Sequence, residues 1–273
     1  MNQLEVHHGA ATDVGLVREV NEDSHLSAPP VWVVADGMGG HDGGDVASRM
    51  VVEEFSALGE REYDPAGATA AVTAALSRAQ DRIAAYSAEH RAAGQPHFHS
   101  GTTAVIAVLV RASHGPQWLL ANLGDSRAYR FFDGTLTQVS VDHSVVQELV
   151  DAGSITPEDA AVHPDRNVVT RALGGGTPVD PDFFHLTVPA GMRLLLCSDG
   201  VSGMLDADQI ASVLGETPDP RDAAERLVLA AVAEGGRDNA TAIVIDVVGW
   251  SDENPYDSER QRASLEQKLG VLP

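Results

Sequence analysis

The chain has 273 residues, 43% of them apolar, which suits one large domain or two small ones and excludes a disordered composition. Forty Asp and Glu against 18 Lys and Arg give a net charge of −22. A surface that acidic repels nucleic acid and anionic lipid, so neither is expected as a main partner. One cysteine, Cys197 in "LLLCSDG", excludes a disulfide within the chain and fits a reducing compartment. Its apolar neighbours favour a buried thiol over a nucleophile.

In chain order, the first residues show no basic start and no apolar signal core. No apolar run is long enough to span a bilayer, so the expectation is a soluble cytoplasmic protein with no membrane partner. "VWVVA" (31–35) reads as a buried strand, and "GGDVASRMVVEEFSALG" (43–59) as a helix through Val46, Met50, Val51, Phe55 and Leu58. Asp64-Pro65 is an N-cap followed by a first-turn proline. After it, Val72, Leu76, Ala79, Ile83 and Tyr86 share one helical face. Strands follow at 102–110, 117–123 and 126–132, and Asp133-Gly134 signals a hairpin. Residues 143–182 are turn-rich around one short helix in "HSVVQELVDAGSI", and a long irregular excursion of this kind is usually functional or mobile. A strand at 192–198, a helix opened by Asp219-Pro220 and a last strand at 241–248 complete the pattern. Ala224, Leu227, Val228, Ala231 and Val232 form the stripe of that helix. From residue 250 a linker leads into "SERQRASLEQKL", a candidate short helix. Hairpins with near-continuous apolar strands imply two packed antiparallel sheets with helices outside.

The glycine-rich stretch "VVADGMGGHDGG" (33–44) poses the chemical question. A dinucleotide fingerprint needs a third glycine where Asp42 stands, and a carboxylate there would repel a pyrophosphate. No Gly-Lys-Ser/Thr follows, and no G-x-S-x-G occurs anywhere. Three more aspartates repeat the grammar of Asp36 at an apolar run beside glycine: Asp125, Asp199 and Asp238. Each alone is adequately explained as a turn former. Together they can converge if the strands pack side by side, and several carboxylates in one place need a cation. Oxygen-only ligands point to Mg²⁺ or Mn²⁺ over zinc, with the Gly37 carbonyl as a further donor. Glu22 and Asp23 add carboxylates. Arg18 is suited to grip a phosphate in two places, although from this stretch alone a surface ion pair with a neighbouring acid explains it better. His97 and His99 have no partner ligands at suitable spacing and read as loop residues.

In order, "GLVREVNED", "VVADGMGGHDGGDVAS", "SGTTAVIAVLV", "ANLGDSRAYR", "DHSVVQELVDAGSI", "HPDRNVVTRALG", "LLLCSDGVSGML" and "GGRDNATAIVI" resemble the motifs of the bacterial metal-dependent protein serine/threonine phosphatases of type 2C. The resemblance runs from about residue 5 to 248, so it implies a phosphatase domain over 1–249 with residues 250–273 outside it. It implies an α+β fold, a four-layer α-β-β-α sandwich of two antiparallel sheets flanked by helices. It also implies a centre of two Mn²⁺ or Mg²⁺ ions. Asp36 would bridge both ions, Asp199 and Asp238 would hold one, and the Gly37 carbonyl the other, with Glu22 or Asp23 reaching in directly or through water. Asp125, with Asp199, would hold a weaker third metal. Arg18 would bind the substrate phosphate, and residues 143–175 would form a flap. Phosphorylated proteins would be the substrates and Ser/Thr kinases the natural counterparts. Some relatives carry His directly after the Asp-Gly pair as a proposed general acid; here that position is Met38, which leaves His41 or water for the task. Two alternatives stay open: a binding module that senses metal or phosphoprotein without turnover, and a hydrolase of small phosphate esters.

Overall fold

The computed structural model describes residues 3–39, 43–113, 115–175 and 179–251. "VWVVA" forms β3 (Val31–Ala35), buried at every position. Its side chains alternate between two cores, as a strand covered on both faces requires. Val31, Val33 and Ala35 face the helices α1 (Gly44–Ser56) and α2 (Pro65–Ala92), while Trp32 and Val34 face the opposite sheet.

That pattern generates the layers. One sheet orders β10 (Asp182–Thr187), β7 (Gly115–Leu123), β6 (Ala104–Ala112), β3 and β2 (Ser24–Ala28). The other orders β1 (Gln3–Asp13), β12 (Ala240–Ser251), β11 (Arg193–Cys197), β8 (Arg127–Phe132) and β9 (Thr135–Gln138). Every pairing is antiparallel. Between the sheets, Trp32, Val105 and Trp118 pack with Leu194, Leu196, Ile243 and Ile245. The outer face of the second sheet, with Leu195, Cys197 and Val244, is covered by α5 (Asp199–Ser202), α6 (Ala207–Glu216) and α7 (Pro220–Ala233). The result is the expected four-layer sandwich.

Local signals account for the borders. Asp64 caps α2 by accepting the Gly67 N–H at 2.6 Å, and Asp219 caps α7 by accepting the Arg221 N–H at 2.9 Å. Asp133 and Gly134 both take positive φ, as the two-residue turn between β8 and β9 demands. The structure departs from expectation in several places. Strands β1, β2 and β10 have no counterpart in the sequence reading, because QLEVHHGAATD and DFFHLT lack a continuous apolar run. Helix α6 was also missed, although Asp206 and Gln209 form a capping box at its start. Within the turn-rich segment, α3 (Val145–Asp151) is the expected short helix. A second one, α4 (Pro157–Ala161), is set by a capping box of Thr156 and Asp159. The candidate helix after residue 250 lies outside the described residues, as do His41 and Asp42. Among the described residues no helix is long and apolar enough to cross a membrane.

Candidate metal centre

Strand direction decides where the aspartates go. Strands β3 and β7 each pair antiparallel with β6, so both end at the same edge of their sheet, leaving Asp36 and Asp125 there. In the other sheet Cys197 at the end of β11 pairs with Ala242 near the start of β12, so Asp199 and Asp238 share an edge too. Asp199 does not simply follow a strand; it is the first residue of α5.

Backbone hydrogen bonds fix Asp36 and Glu22. The Asp36 N–H donates to Thr103 Oγ1 at 3.2 Å, and its carbonyl accepts from the Thr103 N–H at 2.9 Å and from Thr102 Oγ1 at 2.8 Å. Gly37 opens the short strand β4 (Gly37–Met38), paired with β5 (Gly101–Thr102). A side chain at Gly37 would collide with the carbonyls of Glu22 and Gly44, so only glycine allows the chain this close. Glu22 is tied to the same spot: its Oε1 accepts from the Gly44 N–H at 3.2 Å, and its carbonyl from Ser48 Oγ at 2.6 Å. Asn239 clasps the loop that carries Arg18 and Glu22. Its Nδ2 donates to the carbonyls of Val14 and Val20, both at 3.0 Å, and its Oδ1 accepts from the Glu22 N–H at 2.8 Å.

The electrostatics show how close the acids lie. Burial and then the charges of Asp23, Asp199 and Asp125 push the Asp36 carboxyl well above the usual carboxylate range, and Asp36 shares a hydrogen bond with Asp199. Burial, opposed by hydrogen bonds from Thr241 and Ser198 and reinforced by Asp199 and Asp238, raises Asp23 to about 7. Burial and Asp199 raise Asp125 to about 7. Burial and Asp238 raise Asp199. Arg18 is half-exposed and donates from Nη2 to Asp238 Oδ2 at 2.8 Å, with Glu22 and Asp36 also near enough to stabilise its charge.

Glu22 and Asp23, alternatives in the sequence, prove to have separate places. Glu22 sits against Gly37 and Gly44, while Asp23 turns inward toward Asp36, Asp199 and Asp238. Ser198 Oγ donates to Asp23 Oδ2 at 2.8 Å, whereas Oδ1 is buried with no hydrogen-bond partner. Among the described residues no three His, Cys, Asp or Glu side chains close into a ready-made ligand shell. The set is a loose cluster of buried acids. An orphaned buried carboxylate oxygen, mutually repelling acids and an all-oxygen donor set fit a hard divalent cation. His97 and His99 lie in the loop before β5, as expected. Thr103, Ser198 and Asn239 were missed as supporting residues. Their signal was adjacency, since each stands next to a motif acid or within a quoted motif.

The protein phosphatase 2C profile matches residues 18–234. The chain belongs to the protein phosphatase 2C family. Among its protein phosphatase 2C relatives, the "Serine/threonine protein phosphatase PstP" of Mycobacterium tuberculosis is 39% identical over 247 residues, covering 90% of this chain and 46% of PstP. The chain thus spans about half the length of that relative. The "Serine/threonine phosphatase stp" of Listeria welshimeri is 34% identical over 256 residues, covering 88% of this chain and 96% of its own. The crystal structure of the PstP catalytic domain in complex with two manganese ions superimposes with a TM-score of 0.76 at 38% identity, over 90% of this chain and all of that one. The protein phosphatase 2C fold therefore covers both sheets and the edge that carries the acids.

Proposed function

We propose that this chain is a metal-dependent protein serine/threonine phosphatase that hydrolyses phosphoserine and phosphothreonine monoesters in one step, without a phospho-enzyme. The observation that carries the reading is the convergence of Asp36, Asp23, Asp199, Asp238 and Asp125 beside Arg18 at one edge of the sandwich. Asp36, the central acid, would hold two Mn²⁺ or Mg²⁺ ions together with Asp199, Asp238, Glu22 and the Gly37 carbonyl, with Asp23 in support, and Asp125 with Asp199 would offer a weaker third position. Two such ions supply an activated water and neutralise charge on the phosphoryl oxygens.

The chain's own residues do the rest. Arg18 commits one N–H group to Asp238, and a guanidinium carries five, so it can orient a phosphate in line with the attacking water. Its charge also meets the charge that develops on the phosphoryl oxygens. Met38, in β4, has no proton to give. The leaving serine or threonine oxygen takes its proton from His41 or from water.

The domain spans residues 1–249, with residues 143–175 forming a flap beside the site. The substrates are phosphorylated proteins, and Ser/Thr kinases are the counterparts. A single buried thiol fits the cytoplasm. The test is hydrolysis of a phosphothreonine peptide with and without Mn²⁺. Asp36→Asn and Asp199→Asn should abolish turnover while the folded circular dichroism signature persists. Undiminished turnover in excess chelator would sink the reading. A nucleotide monophosphate hydrolysed faster than the peptide would move it to small phosphate esters.

A further inference from the structure

The residues on either side of Arg18 are apolar and lie in water. Leu16, Val17 and Val20 are 70%, 66% and 56% exposed. No other two large exposed apolar side chains among the described residues stand within five positions of each other. Such side chains scattered singly over a surface are ordinary, whereas three together beside a charged grip mark a contact surface.

The loop cannot fold them away. Asn239 Nδ2 ties its two ends together by donating to the carbonyls of Val14 and Val20, both at 3.0 Å. The Leu16 N–H donates to the Gly236 carbonyl at 2.7 Å, and the Gly15 N–H to Asp13 Oδ1 at 2.7 Å. Gly15 takes a φ of +79°, and a Cβ there would strike the carbonyls of Gly236 and Asp238. The backbone from Val14 to Val20 is thus fixed against residues 236–239. Its apolar side chains stay in water, at a free-energy cost that a partner covering them would remove.

A free charge borders the same surface. Arg237 lies between Gly236, which holds Leu16, and Asp238, which holds Arg18. Among the described residues, the arginine side chains that make no hydrogen bond, ion pair or ring contact are Arg61, between α1 and α2, and the exposed Arg237. In a chain with 40 acidic and 18 basic residues, Arg237 keeps its whole guanidinium fork for a carboxylate from outside.

We propose that Leu16, Val17, Val20 and Arg237 form a specificity surface that reads the neighbours of the phosphorylated residue. Its occupant is an extended phosphopeptide with an apolar side chain next to the phosphoserine or phosphothreonine and a carboxylate within reach of Arg237. The inference rests on the reading of Arg18 as the phosphate grip. With the phosphate held there, the flanking residues of an extended peptide, about 3.3 Å apart along the chain, cross the loop that carries Arg18. A small phosphate ester meets Arg18 alone and gains nothing from the surface. The apolar contact is made equally before and during the reaction, so it acts on KM rather than kcat.

The experiment measures kcat and KM of the full-length protein with Mn²⁺, at about 0.15 M salt, on phosphothreonine peptides and on p-nitrophenyl phosphate, which has no flanking residues. One pair of peptides places Leu and Val, or Ser and Asn, on the two sides of the phosphothreonine. A second pair places Glu or Lys two positions away on both sides. The variants are the double variant Leu16→Ser/Val17→Ser, Val20→Ser and Arg237→Gln. In the wild type the Leu/Val peptide should have a kcat/KM about tenfold above the Ser/Asn peptide, carried by KM. Leu16→Ser/Val17→Ser should bring that ratio within about twofold of unity and leave p-nitrophenyl phosphate turnover within about twofold of wild type. Val20→Ser should lower the ratio in the same direction, and it reports even if the double variant fails to fold. Arg237→Gln should lower the Glu-to-Lys ratio about threefold, the size of an exposed ion pair. Equal kcat/KM on the Leu/Val and Ser/Asn peptides in the wild type would overturn the surface, and that comparison needs no variant. So would an apolar preference that survives in both loop variants, or a Glu-to-Lys ratio unmoved by Arg237→Gln. A wild-type dimer that Leu16→Ser/Val17→Ser dissolves, read by light scattering, would give the loop to a second copy of this chain and overturn it as well. No turnover of p-nitrophenyl phosphate or of any peptide by the wild type would remove the phosphatase reading, and the surface with it.

Discussion

Ser198 and Asp23, separated by 175 residues in the chain, meet through a 2.8 Å hydrogen bond from the serine hydroxyl to the carboxylate. The same hydroxyl accepts the Thr241 N–H at 3.0 Å, so one side chain joins the end of β11, the start of β12 and the innermost acid. Ser198→Ala leaves a second Asp23 oxygen short of this donor and the Thr241 N–H without its acceptor. The expected loss is about 1–3 kcal/mol of stability, read by urea denaturation of the metal-free protein. A loss near zero would show that water replaces the hydroxyl at no cost.

The acids give the metal-free protein a defined pH dependence. Asp23 and Asp125 are raised to about 7, and Asp36 and Asp199 are raised in the same direction. The folded chain then binds protons that the unfolded chain has already released. The contribution of these four acids to stability is therefore greatest below the ordinary carboxylate range and falls as pH rises toward about 7. A divalent cation removes the repulsion and displaces those protons. The Tm gain from Mn²⁺ should be larger at about pH 8 than at about pH 5.5, and calorimetry in two buffers of different ionisation heat should show proton release. Equal gains at both pH values would contradict this.

Gly37→Ala tests close approach. The new methyl group would strike the carbonyls of Glu22 and Gly44, both backbone atoms that cannot swing aside. A cost of about 1–3 kcal/mol is expected, with weaker Mn²⁺ binding, since overpacking displaces the chain at the proposed ligand. Thermal melts with and without Mn²⁺ check it. Wild-type behaviour in both would show that the loop relaxes freely.

Cys197 should be inert. It is fully buried beneath the outer helices of its sheet, and burial raises its thiol to about 12. Native protein should resist a thiol reagent near neutral pH and react once unfolded in concentrated guanidinium. Rapid labelling of the native chain would show that this core opens.

Much of the sandwich could be read from local pattern. Apolar runs punctuated by glycine and polar residues located β3, β6, β7, β8, β11 and β12, and Asp-Pro pairs located the starts of α2 and α7. Strands β1 and β10 could not be read this way. QLEVHHGAATD is stabilised as a strand by its pairing with β12, and DFFHLT by β7, partners far away in the chain. The acids were legible as residue types beside glycine. Their supporting residues were not, because Ser198, Asn239 and Thr103 act through hydrogen bonds across long sequence separations.

By itself the sequence determined the α+β class, the burial of its one thiol and the inventory of candidate acids, because periodicity, capping and charge are properties of neighbours. Only the tertiary structure decided that Asp23 turns inward while Glu22 lies against Gly37. It also decided that Arg18 reaches Asp238. Those choices follow from antiparallel strand order, which brings the ends of β3, β7 and β11 and the start of β12 to one edge through contacts no local stretch encodes.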